Sequence, residues 1–149
     1  MSRHFPLSEM QFSATATRLG LDNTCPQNLM ANMVRVEEHL EEIRAHFGNK
    51  PVKVLSCYRS PAVNIAVAGS KNSAHRAALA VDFTIPGVPL IDIANWCGKS
   101  IEDADQVILE FDSWIHLGFT LGEPRKQLLT AIKDNGKTIY VLGFKGYKL

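Results

Sequence analysis

The chain has 149 residues, 46% hydrophobic and 21% charged, with sixteen Lys and Arg against fifteen Asp and Glu for a formal net charge of +1. That length and composition suit one soluble domain, residues 1–149, with a core of its own, and exclude disorder and fibrous repeats. With no Lys/Arg cluster a nucleic-acid partner is excluded, and no apolar run reaches the ~20 residues of a membrane span.

At the amino terminus "MSRHFPLSEM" lacks the apolar segment of a signal peptide, so cytoplasmic synthesis without that export route is expected. Ser8, with Gln11 three residues on, has the capping-box spacing and predicts a helix to Gly20 with Phe12, Ala16 and Leu19 on one face. In "PQNLMANMVRVEEHLEEIRAHFG", Leu29, Met33, Val36, Leu40, Ile43 and Phe47 recur at spacings of four and three, and Gly48 supplies a stop. This is the clearest helix, its apolar stripe is core packing, and His39 and His46 fall on or beside its solvated side.

β-type residues take over in "KPVKVLSCYRS", where Val52 and Val54 alternate with Lys53 and Leu55, and Pro61 opens a short helix. In "LAVDFTI", period two places Val81, Phe83 and Ile85 on one face and Ala80, Asp82 and Thr84 on the other, so Asp82 looks out among small residues. Pro89 opens a helix with Leu90, Ile93, Ala94 and Cys97 on one side. "DQVILEF" and "WIHLGF" read as a hairpin around Asp112 and Ser113, and Asn135-Gly136 marks a second one near the end. The order predicts an α+β fold in which N-terminal helices pack on a small, largely antiparallel central sheet.

Of five histidines only His75 and His116 fall near strands and loops that also carry carboxylates. Two imidazoles and one carboxylate are a common set for catalytic zinc, and His75, Asp82 and His116 could supply it, with Ala80 leaving room for an ion. An aspartate left bare on a buried face would be costly, and two such neighbours or a salt bridge remove the cost. By residue type alone a His and an Asp seven apart are common, so a metal site and a satisfied core cluster both stand. The cysteines, Cys25, Cys57 and Cys97, form no CxxC pair and read as buried thiols.

Three segments change the balance. "SAHRAALAVDF" resembles the SxHxxGxAxD signature of zinc D-Ala-D-Ala carboxypeptidases and phage peptidoglycan endopeptidases, the M15 metallopeptidases, through Ser73, His75, Ala80 and Asp82. "SCYRSPAVN" resembles the S-G-Y-R-S segment of that family through Ser56, Tyr58, Arg59, Ser60 and Asn64, and "LEFDSWIHLGF" its E…W-x-H segment through Glu110, Trp114 and His116. The likeness runs over about residues 5 to 145. Two departures are Ala78 and Cys57, where the family has glycine, and they bear on local backbone conformation alone.

The resemblance implies a Hedgehog/DD-peptidase-like fold and Zn²⁺ held by His75, Asp82 and His116. It implies Arg59 on a substrate carboxylate or developing oxyanion, against an ordinary ion pair for the same side chain. Ser73 is a candidate to meet substrate or orient His75, and equally a turn cap. Many members carry Glu three residues before the last histidine, where this chain has Ser113. Glu110 is therefore the expected general base, set opposite His116 by a three-residue loop at Asp112 to Trp114; Asp112 is the alternative, with a turn role as its other reading.

The substrate class implied is the stem or cross-bridge peptide of peptidoglycan, cut by a monomer released in phage lysis or carried on a virion. The chief rival is a zinc-binding module of the same fold without hydrolysis. Structural zinc is normally closed by a fourth ligand, for which Cys57 is the candidate. A thiol enzyme pairing a cysteine with His75 or His116 is the third reading, and no cysteine sits in a nucleophile motif for it.

Overall fold

Chain order in the computed structural model, which describes residues 2–144, begins with helices α1 (Leu7–Met10), α2 (Ala14–Leu19) and α3 (Met30–His46). Strand β1 (Lys53–Ser56), helix α4 (Pro61–Ala66), β2 (Ala80–Thr84) and α5 (Leu90–Ser100) follow. Strands β3 (Gln106–Glu110), β4 (Trp114–Gly118), β5 (Gln127–Asp134) and β6 (Lys137–Leu142) complete it. One six-stranded sheet runs β1-β2-β4-β3-β5-β6, and every neighbouring pair is antiparallel except β3 with β5. The α+β fold with a largely antiparallel sheet is as the sequence predicts.

Strand alternation sorts the sheet into a packed and an open face. Val81, Phe83, Val107, Leu109, Ile115 and Leu117 are fully buried and share one core with Met33, Val36, Leu40 and Ile43 of α3 and Ile93, Ala94 and Cys97 of α5. The stripe read from the sequence is thus the buried stripe. No helix among the described residues is long and apolar enough to cross a membrane.

Two expectations change. The first helix is two, because Ser13 takes an extended conformation (φ −143°, ψ 119°) and its Oγ accepts from the Ala16 N–H, so Ser13 rather than Ser8 is the cap. Gly20 ends the second in the left-handed region, as expected, but Phe12 and Leu19 are 55% and 53% exposed and only Ala16 is buried. His46 is exposed, as read, whereas His39 is largely covered: its ring stacks on Phe119 at 4.7 Å and its Nε2 meets Asp103 at 3.2 Å.

A buried carboxylate fixes where β5 starts. Asp105 accepts from the backbone N–H of Arg125 (2.8 Å) and from its Nε and Nη2 (3.1 and 2.6 Å). Those bonds, the side-chain ones first, hold the Asp105 carboxyl below the usual carboxylate value against the opposing effect of burial. Since its folded value is lower than its unfolded one, the contribution is fully present above about pH 4 and is lost as pH falls through the folded value. Asp105→Asn is expected to lower the unfolding free energy by about 1–2 kcal/mol at pH 7, discounted for the exposed guanidinium, with the difference from wild type closing below pH ~4 in urea titrations.

Candidate metal centre

On the open face, registry lines Asp82 of β2, His116 of β4 and Ile108 of β3 into one row. His75 arrives from a 3₁₀ turn, Ala74–Ala77, that ends on Ala78 at φ 56°. The left-handed conformation sits where the resembled signature has glycine, and Ala78 adopts it nonetheless. Ser73 Oγ accepts from the His75 backbone N–H at 3.3 Å, so the capping role read for it is realised while the residue also lines the cleft.

His75, Asp82 and His116 each offer a ligand atom, and these atoms lie within 4.8 Å of one another. Asp82 Oδ1 accepts from His116 Nδ1 at 2.9 Å and faces His75 Nε2 at 3.2 Å. On the far side of the ring, His75 Nδ1 donates to the Cys57 carbonyl at 2.7 Å. A carbonyl can only accept, so the proton belongs on Nδ1 and Nε2 turns a lone pair toward the Asp82 oxygen. Two acceptors face each other there unless a cation or a second proton lies between them. The donor set and the backbone-fixed tautomer fit a divalent metal such as zinc.

Burial works to raise the Asp82 carboxyl, but the two imidazoles outweigh it and hold the group far below the carboxylate range. Burial works to lower His116, and the Asp82 carboxylate reverses the sign and raises it. Gly118 leaves the ring its space, since a Cβ there would stand 3.2 Å from His116 Nε2.

Glu110 lies on the same face but not opposite His116. The loop is Phe111–Ser113, turned by positive φ at Phe111 and Asp112, so Glu110 pairs with Trp114 and Ile108 pairs with His116. Its Oε1 still reaches 3.9 Å from His116 Nδ1 and accepts from Trp114 Nε1 at 2.9 Å. Burial raises the Glu110 carboxyl, with His116 drawing it back. Asp112 is exposed at the loop and, among the described residues, ion-pairs with neither imidazole.

Arg59 follows β1 in a loop pinned by Asn23, whose Nδ2 donates to the Tyr58 carbonyl and whose Oδ1 accepts from Ser60 N–H. The Arg59 N–H donates to the His75 carbonyl at 3.0 Å. Its Nη1 donates to Asn64 Oδ1 at 3.0 Å, and among the described residues it has no carboxylate in ion-pair contact. Burial lowers the guanidinium, while Asp82 and Glu110 act to raise it, which places its charge beside theirs. Gly69 closes against this pair: a Cβ would meet Asn64 Oδ1 at 2.1 Å and Arg59 Nη1 at 2.8 Å. Gly69→Ala is expected to displace Arg59 and cut kcat/KM at least about tenfold with bound metal unchanged; full activity would remove Arg59 from the chemistry.

Ser73, His116 and Glu110 border one open cleft of about 700 Å³ that runs on to Tyr140, whereas Arg59, His75 and Asp82 lie outside its lining. The peptidase M15 sequence pattern matches residues 3–118, which contain the whole cluster. The chain belongs to the peptidase M15 family. M15 membership makes this a metallopeptidase of a family that is zinc-dependent in general, with a peptide as substrate. No curated protein matches the chain.

Other assignments find no support in this M15 chain. Cys57 turns its thiol into the core, where burial raises it far above the ordinary thiol value, and only its carbonyl serves His75. Burial likewise pushes Cys97 up to about 12, so neither is a nucleophile. Sequence reasoning named Trp114 and Asn64 as motif residues without a role and passed over the Cys57 carbonyl. For Trp114 a signal existed, since four residues across a three-residue loop make it the partner of Glu110.

Proposed function

We propose that the chain is a zinc-dependent hydrolase of peptide bonds in bacterial peptidoglycan, acting on stem or cross-bridge peptides. In this reading His75, Asp82 and His116 hold the metal, Glu110 is the general base and Arg59 binds the substrate carboxylate or the oxyanion. The observation that carries it is Glu110 Oε1, fixed by Trp114 and 3.9 Å from His116 Nδ1, at the mouth of the His75–Asp82–His116 group. A divalent metal bound there would supply Lewis acidity and ease deprotonation of the attacking water.

The protein's own groups do the rest. Glu110 Oε2 takes the proton of the attacking water and returns it to the leaving amine; a carboxyl raised by burial sits closer to working pH, which suits both transfers. Arg59 brings a permanent charge and paired donors, suited to a carboxylate-ended peptide and to negative charge growing on the carbonyl oxygen. The Ser73 hydroxyl, whose oxygen caps the turn, keeps its own proton to donate to substrate in the cleft. A phage or prophage lysis enzyme, or a virion component, acting as a monomer is the setting in which such a chain reaches the wall.

The test is release of new amino groups from purified peptidoglycan, with and without chelator, metal content being recorded in parallel. Chelator-sensitive release restored by zinc supports the reading. No release from a fully zinc-loaded protein removes it.

A further inference from the structure

The M15 match ends at residue 118, yet the sheet continues through β5 and β6, and that extension forms one wall of the cleft. Registry fixes what it presents. The row Asp82, His116, Ile108 runs on to Leu129 of β5, and the row Trp114, Glu110 runs on to Ala131 and Tyr140 of β6. Strands stand about 4.8 Å apart, so Leu129 lies about 10 Å along the sheet from His116, within about three residues of an extended peptide. The first row starts in titratable chemistry and ends in carbon, and the second passes from Glu110 to the ring of Tyr140.

We propose that Ile108, Leu129 and Tyr140 form a subsite for an aliphatic side chain of the peptide substrate, within three residues of the bond that is cut. The proposal rests on the peptidase reading for its occupant. Ile108 is buried and forms the floor, Leu129 is half-buried, and Tyr140 is 56% exposed, so the walls have apolar surface left for a ligand to cover. One cleft takes in these three together with Glu110 and His116, which makes the subsite continuous with the reacting groups. Glu110 is near enough to Tyr140 for its charge to raise the phenol, burial being the larger cause. Beyond Glu110 and His116, the charged residues lining the cleft are Asp105 and Arg125, which are spent on each other, so this end offers an incoming side chain contact rather than an ion pair.

A positional tetrapeptide library, with Ala or Leu at one position at a time, tests it on the zinc-loaded full chain. Cleavage is read by mass spectrometry and binding by saturation-transfer NMR. Wild type is expected to favour Leu over Ala at one position by at least about tenfold. In Leu129→Ala and Tyr140→Ala the preference should fall below about twofold, the loss being larger on the Leu peptide than on the Ala peptide, and Tyr140→Phe should keep it. Matching melting curves exclude misfolding, and Leu129→Met serves as a second check on that strand. No preferred position in wild type, or a preference that survives both alanine variants, overturns the subsite. Peptides bound with the preference but left uncut would uphold the subsite and count against the peptidase reading instead.

Discussion

Glu110→Gln is expected to leave metal content unchanged and to lower kcat by about 10²–10⁴. The replacement is isosteric, and its carbonyl oxygen can still accept from Trp114 Nε1, so the hairpin and the cleft should stay as they are. What disappears is the second carboxylate oxygen, Oε2, the atom that takes the proton, while Oε1 stays 3.9 Å from His116 Nδ1. Stopped assays on peptidoglycan with metal analysis of the same samples check this. A variant within tenfold of wild type would transfer the role away from Glu110. Trp114→Phe offers an intermediate case: it removes the bond that orients the carboxylate and should lower kcat without altering metal content.

The second large effect is at Asp82. Asp82→Asn should weaken zinc binding by more than about 100-fold, beyond the 10- to 100-fold typical of residues that only support a ligand. Asparagine is close in shape and its oxygen can still accept from His116 Nδ1, so the metal-free fold survives, but the charge between two imidazoles is gone. Thermal melts with and without zinc make the comparison. Wild type should gain about 2.7 kcal/mol at a free zinc concentration 100 times its Kd, and the variant almost nothing. A variant stabilised as much as wild type would take Asp82 out of the ligand set.

Parts of this arrangement were legible in the sequence because periodicity carries them. Spacing alone put Met33, Val36, Leu40 and Ile43 in the core, alternation put Asp82 on the face opposite Val81 and Phe83, and Asn135-Gly136 turned the last hairpin with positive φ at both residues. The order of the three motifs gathered His75, Asp82, His116 and Glu110 into one region. Registry was not legible, because Phe111 and Asp112 turn the β3–β4 loop without the glycine that would have announced it. The break at Ser13 was hidden by apolar neighbours that kept helical spacing across it. His39 looked solvated on its own helix because Phe119 and Asp103, which cover it, lie some eighty and sixty residues away.

One pair of bonds has a wider meaning. Arg59 N–H binds the His75 carbonyl while His75 Nδ1–H binds the Cys57 carbonyl, so each loop grips the main chain of the other. The entropy of ordering both segments is therefore lost once, when the chain folds, and need not be lost again for each substrate molecule. Because the clasp uses carbonyls, the side chain at 57 can change among small residues while the imidazole stays aimed, which is how a cysteine can stand where the resembled S-G-Y-R-S segment has glycine.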